Sequence, residues 1–312
     1  MKNVIVALSS CYLLLHQMVF AAPIYFDDMG EANAYIFNDF SASFSDSQGA
    51  LLVGGNAALE GYSVATLNAW DALALDVRGD LTIVGGDING LTSIDGTASV
   101  SKTSQPRLIN SEYLYNQAFF SALADGLSTQ AAVSTNLKYG ALTALGSTEI
   151  DTLFINVNQQ LLDSAWGLFT QDVNAGVRVV FNVAGEDVVL SSQKDWLVKD
   201  VNYAFNHAAN NVLFNFYEAK KLSISGGIYG SILAPNADVV TGHGVLNGQI
   251  IANSFAGNIQ LNDAPFRVDQ PAARVSEPLP FMLFLLGLMG CIMMRRYSAH
   301  NGNERVSLTY PA

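Results

Sequence analysis

Apolar residues run along the chain in short stretches, and glycine, asparagine or aspartate closes most of them. Ala50-Leu51-Leu52-Val53 ends at Gly54-Gly55-Asn56. Ala74-Leu75-Asp76-Val77 ends at Arg78-Gly79-Asp80, and Leu81-Thr82-Ile83-Val84 at Gly85-Gly86-Asp87. The pattern returns with Leu222-Ser223-Ile224, Ile228-Tyr229-Gly230-Ser231-Ile232-Leu233 and Asp238-Val239-Val240. Gly248-Gln249-Ile250-Ile251-Ala252 and Asn258-Ile259-Gln260-Leu261 complete it. Short runs bounded by turn residues predict strands. Glycine and asparagine supply the positive φ that tight corners need. A mainly β body follows, either a solenoid or a sandwich. The repeats are imperfect and set no fixed period.

One segment departs from this rhythm. Residues 106–130 place Tyr113, Leu114, Ala118, Phe119, Ala122, Leu123 and Leu127 at helical spacing. Ser111 is positioned to cap the helix, and the stripe is apolar enough to pack against a sheet.

The two ends read as targeting segments. A short basic start and the apolar residues 4–20 predict a signal peptide over 1–21. Near the other end, residues 281–294 (FMLFLLGLMGCIMM) are apolar and run into Arg295-Arg296. They predict a hydrophobic helix, short for a bilayer core, with the arginines on the cytoplasmic side. The body is then 22–274, the C-terminal segment 275–296 and the cytoplasmic tail 297–312. Cys11 and Cys291 both fall in the end segments. An exported body without cysteine has no disulfide and cannot be a thiol enzyme.

Charge narrows the partners. The chain carries 15 Lys and Arg against 27 Asp and Glu, a net charge of -12. A nucleic-acid binder would need a basic patch, so no nucleic acid is expected. An acidic exported body is expected to be soluble and to attract cations.

Several motifs together resemble a known family. Tyr35-Ile36-Phe37-Asn38-Asp39-Phe40, Val53-Gly54-Gly55-Asn56, Val77-Arg78-Gly79-Asp80-Leu81-Thr82 and Gly230-Ser231-Ile232-Leu233-Ala234-Pro235-Asn236-Ala237 are similar to the choice-of-anchor A domain of bacterial surface proteins. Leu246-Asn247-Gly248-Gln249-Ile250-Ile251-Ala252 extends the likeness. Glu277-Pro278, the apolar helix and Arg295-Arg296 resemble a PEP-CTERM sorting signal, with an uncut membrane anchor as the alternative. The resemblance implies a right-handed β-helix with one α-helix packed alongside, similar to the fold of ice-binding proteins. It also implies an exosortase-like processing enzyme as a partner, a membrane contact through the C-terminal helix, and a place at the cell surface. It transfers no catalytic residues.

Candidate chemistry is sparse. The body has only His207 and His243, and neither lies in a zinc motif. No Gly-x-Ser-x-Gly elbow is present. Asp27-Asp28 and Glu186-Asp187 are adjacent carboxylates, which on a strand would point to opposite faces. Asp87, Asn89 and Asp95 are calcium candidates, because calcium takes hard oxygen ligands; ordinary turn caps are the alternative. Thr82, Thr92 and Thr97 are too scattered for an ice-binding array. Trp70, Trp166, Trp196, Tyr62, Tyr203 and Tyr217 could stack on sugars, but each is expected to be core. The expectation is a non-enzymatic adhesin or matrix protein whose partner is an extracellular polysaccharide or matrix protein, with no cofactor unless calcium binds. A polysaccharide-degrading enzyme and a self-associating coat protein are the alternatives.

Overall fold

The computed structural model describes residues 29–30, 32–111, 116–165, 167–174, 176–191 and 209–266. The end segments 1–21, 275–296 and 297–312 lie outside the described residues. So do Asp27, Asp28, Trp166, Trp196, Tyr203 and His207. Among the described residues no helix is long and apolar enough to cross a membrane.

Nine strands open the chain: β1 (Ala34–Ile36), β2 (Phe40–Ser43), β3 (Leu51–Val53), β4 (Ala57–Glu60), β5 (Leu73–Val77), β6 (Leu81–Val84), β7 (Leu91–Ile94), β8 (Ala98–Ser101) and β9 (Arg107–Leu108). Helix α1 (Gln117–Ser128) follows, then β10 (Thr135–Lys138), β11 (Ala141–Leu145), β12 (Thr152–Asn158), helix α2 (Gln159–Ser164) and β13 (Gly167–Gln171). The second half adds β14 (Arg178–Ala184), β15 (Asp187–Ser191), β16 (Val212–Asn215), β17 (Lys221–Tyr229), β18 (Ser231–Asn247), β19 (Ile250–Gly257) and β20 (Gln260–Asn262).

Seventeen of these strands form one curled sheet whose pairings are all parallel. One column runs β12, β14, β16, β18, β19, β1, β3, β5, β7, β9. The other runs β15, β17, β18, β19, β2, β4, β6, β8. Strands β18 and β19 are long enough to join both, and their register shifts between Ala234 and Asp238, where the chain leaves one column for the other. A separate three-stranded sheet pairs β10 with β11 antiparallel and β11 with β13 parallel.

A third, shorter column runs from the end of β17 through the end of β18 to β20, and the three columns together enclose one core. Ile36, Leu51, Val53, Leu75 and Val77 enter it from the first column, and Phe40, Leu81 and Phe255 from the second. Parallel register places like on like: Phe40 pairs with Phe255, and their rings stack with centroids 4.8 Å apart. Each fully buried side chain of this size contributes about 1.5–3 kcal/mol.

Three-residue corners join the columns on one side: Phe37-Asn38-Asp39, Gly54-Gly55-Asn56, Arg78-Gly79-Asp80 and Asp95-Gly96-Thr97. The third residues stack as a hydrogen-bond ladder. The Asn56 main-chain amide donates to Asp39 Oδ1 (2.8 Å), that of Asp80 to Asn56 Oδ1 (2.9 Å) and that of Thr97 to Asp80 Oδ1 (2.7 Å). Glycine is needed beside this ladder because the stacked corners touch. A Cβ at Gly79 would stand 2.4 Å from Asn56 Oδ1 and 2.8 Å from the Gly55 carbonyl.

Helix α1 covers the outer side of the first column. Phe120, Leu123, Ala124 and Leu127 pack on Tyr35, Leu52, Val180, Leu213, Leu233 and Ile251. The helix is shorter than its sequence pattern predicts. Arg107 and Leu108 pair with β7 instead. Its cap is Asn116, which accepts from the Phe119 amide at 3.0 Å, rather than Ser111. The buried stripe is also offset, with Phe120 and Ala124 inward and Ala118 and Ala122 exposed.

Candidate functional site

Helix α1 seals one side of the sheet and leaves the outer side of the second column open. Along that column one outward position repeats in strict register. Val189 pairs with Ser223, Ser223 with Val240, and Val240 with Ala256. Ala256 pairs with Ser41, Ser41 with Ala58, Ala58 with Thr82, and Thr82 with Ser99. All eight side chains are exposed, none is charged, and none is larger than valine. Neighbouring strands lie about 4.8 Å apart, so the line is about 34 Å long. Alternation along each strand causes this: Phe40, Ala57, Leu81 and Phe255 turn inward, so Ser41, Ala58, Thr82 and Ala256 turn outward.

Polar groups border the line. On one side lies the corner ladder, continued by Asp238, which accepts from Ser254 Oγ (2.6 Å) and Asn253 Nδ2 (2.8 Å). These bonds, with the nearby Lys221 charge, hold the Asp238 carboxyl below the usual carboxylate range. Asp80 is lowered too, by the Thr97 main-chain amide and then by its hydroxyl at 2.9 Å. On the other side Phe44, Gly61, Gly85 and Lys102 follow their strands, and all four have positive φ. Phe44 stands beside Gly61 in this stack, where two of the four residues are glycine. Its φ is 52°, and the residue is 74% exposed. A bulky residue in the left-handed region is strained, and such strain concentrates at functional positions. No pattern in the sequence singles out Phe44.

The sequence-predicted residues scatter. Asp87 and Asn89 precede β7, and Asp95 follows it. A four-residue strand covers about 13 Å, too far to share an ion whose ligands stand about 2.5 Å away. Each side chain also makes contacts within the protein. Thr103 Oγ1 donates to Asp87 Oδ1 at 3.2 Å. Asn89 Nδ2 donates to the carbonyls of Ala65 (3.2 Å) and Asn68 (3.0 Å). Asp95 accepts from Arg78 at 3.1 Å. Among the described residues no group of three or more His, Cys, Asp or Glu is arranged to hold a metal.

Of the other candidates, Thr82 lies on the exposed line, Thr92 is buried and Thr97 is in a corner. His243 Nδ1 is 3.0 Å from Asn258 Nδ2 on the surface. Tyr62 is fully buried, as the core expectation has it. Burial pushes its phenol well up, and the Asp46 charge adds to this. Tyr217 is half-buried against the helix cluster. Trp70 departs from the core expectation and is 65% exposed. An open cavity of about 560 Å³ between Tyr35, Leu52, Leu67 and Pro265 holds one carboxylate, Asp263.

Residues 25–263 match the family described as "Putative Ice-binding-like adhesive domain". The match covers most of the chain, and the chain belongs to this family. No curated protein and no solved structure gave a match.

Proposed function

We propose that the chain is an exported cell-surface protein that adheres through the uncovered line from Val189 to Ser99. The carrying observation is that line: eight strands in register, no charge, small side chains and a strained exposed Phe44 at its border. Membership in a family of adhesive domains supports the reading. A flat face that repeats about every 4.8 Å suits a partner that is itself extended and periodic. An extracellular polysaccharide fits this best. The role is non-enzymatic, adhesion or matrix scaffolding.

The finer reading follows the sequence resemblances. The curled parallel sheet is a right-handed β-helical solenoid of the choice-of-anchor A kind. Residues 1–21 direct export, and 275–296 form a PEP-CTERM-like sorting segment acted on by an exosortase-like enzyme.

The test is capture of matrix polysaccharide from the source cell by the full chain, with and without calcium. Ala58→Arg and Val240→Arg are each expected to weaken capture about tenfold or more with the melting temperature unchanged. Capture undiminished by either substitution overturns the assignment of the face. Shortening of the captured sugar makes the protein an enzyme, and loss of capture on chelation makes calcium a part of it.

A further inference from the structure

The register of the second column advances by 17 residues from Phe40 to Ala57 and by 17 again from Leu81 to Ala98. Between Ala57 and Leu81 it advances by 24. Most of the extra residues fall in the β4–β5 connection, and the rest lengthen β5, whose register slips between Leu73 and Leu75. Residues 61–72 span a gap that 44–50, 85–90 and 102–106 cross in seven residues or fewer. The sheet does not need this insertion.

The insertion is nonetheless fixed on every side. From the connection before it, Ser47 Oγ accepts from the Ala65 amide (3.3 Å), and the Ser47 and Gln48 carbonyls accept from the amides of Thr66 and Leu67 (3.0 Å each). From the connection after it, Asn89 grips the Ala65 and Asn68 carbonyls. The Asn68 side-chain amide donates to the Leu73 carbonyl at 3.0 Å. Arg107 donates to the Trp70 carbonyl and lays its guanidinium over the indole, 3.5 Å from the ring centroid. What this fixed loop displays is Leu67, 67% exposed, and Trp70. Holding a large aromatic rigidly in water forgoes the stabilisation that burial would bring.

We propose that Trp70 is a stacking platform for one pyranose ring of an extracellular polysaccharide. The negative face of an indole attracts the C–H bonds on one side of a sugar ring. Arg107 occupies one face of the indole, so the sugar takes the other. Asp71, the next residue in the chain after Trp70, is exposed and offers a carboxylate acceptor suited to sugar hydroxyls. The platform lies off the uncovered line and stands whether or not that line binds. The calcium candidate Asn89 is, on this account, a positioning residue for the loop.

The test titrates the full chain with three hexasaccharides: β-1,4-linked glucose, β-1,4-linked N-acetylglucosamine and oligogalacturonate. Tryptophan fluorescence and calorimetry read the binding. At least one sugar is expected to bind, and Trp70→Ala to weaken it about tenfold or more with the melting temperature unchanged. Trp70→Phe should retain part of the affinity. Ala58→Arg should leave it intact, which separates this site from the uncovered line. Wild-type affinity in Trp70→Ala overturns the platform, as does failure of all three sugars to bind. Loss in Ala58→Arg alone moves the sugar to the uncovered line and also overturns it.

Discussion

Asn215 on β16 donates its side-chain amide to the main-chain carbonyl of Ala124 in α1 at 2.8 Å. Asn182, its neighbour in register, donates to the Leu127 carbonyl at 2.9 Å, and Asn215 also donates to Asn182 Oδ1 at 2.9 Å. The pair therefore holds the C-terminal half of the helix on the sheet by polar contacts inside an apolar cluster. Asn215→Ala should lower stability by about 1–3 kcal/mol, because it strands a buried carbonyl. With Asn182→Ala the two losses should not add, since both residues belong to one network. Urea unfolding of the two single variants and the double variant checks this.

Two glycines should respond oppositely to alanine. At Gly244, φ is +154°, and a Cβ would stand 2.0 Å from the Gly226 carbonyl oxygen. At Gly126, inside α1, a Cβ meets nothing within 4 Å. Gly244→Ala should cost more than about 1 kcal/mol, and Gly126→Ala should stabilise by about 1 kcal/mol through helix propensity. Thermal melts of both variants decide it.

Tyr62 buries its hydroxyl with no partner among the described residues. Tyr62→Phe should stabilise by about 1 kcal/mol, because it removes an unpaired polar group without opening a cavity. Its phenol is raised above the ordinary 10.0 by burial. The neutral form therefore favours folding, and this contribution is lost as pH rises beyond the unfolded value. Tyr62→Phe should flatten the alkaline limb of a stability–pH curve.

Acid should loosen the corner ladder. Asp80 and Asp238 both have lowered pKa values, from hydrogen bonds to their charged forms. Their stabilisation is present above the unfolded carboxylate range and is lost as pH falls through the folded values. Melting temperature should drop on acidification, less steeply in Asp80→Asn and Asp238→Asn. A steeper drop in those variants would contradict the ladder.

Phe44 ties the uncovered line to backbone strain. Phe44→Gly should leave the fold as stable as before or more so, because the left-handed corner suits glycine. It should also weaken adhesion, since the exposed ring is lost. Binding and melting measured on the same preparation separate the two effects.

Much of this architecture was legible in the sequence. Runs such as Leu81-Thr82-Ile83-Val84, closed by Gly85-Gly86, gave both the strand and its inward–outward alternation. The helix was legible but not its start, because Arg107 and Leu108 satisfy their backbone on β7 and Asn116 makes a better-placed cap than Ser111. The stacking itself was hidden. The 24-residue step between Ala57 and Leu81 breaks the 17-residue spacing on either side of it, so no period emerges from the letters. The line from Val189 to Ser99 exists only through long-range register and leaves no local motif. Asn89 carries a role the sequence did not suggest: beside its spacing to Asp87, its amide nitrogen holds a neighbouring loop.

The most direct measurement is adhesion of the full chain to matrix polysaccharide immobilised on a sensor surface, for wild type and for Ala58→Arg. Ala58 is the exposed link between Ser41 and Thr82 at the middle of the β2–β4–β6 stretch. Binding weakened about tenfold or more with an unchanged melting temperature is the predicted result. Equal binding by both proteins would contradict the claim that this face is where the protein adheres.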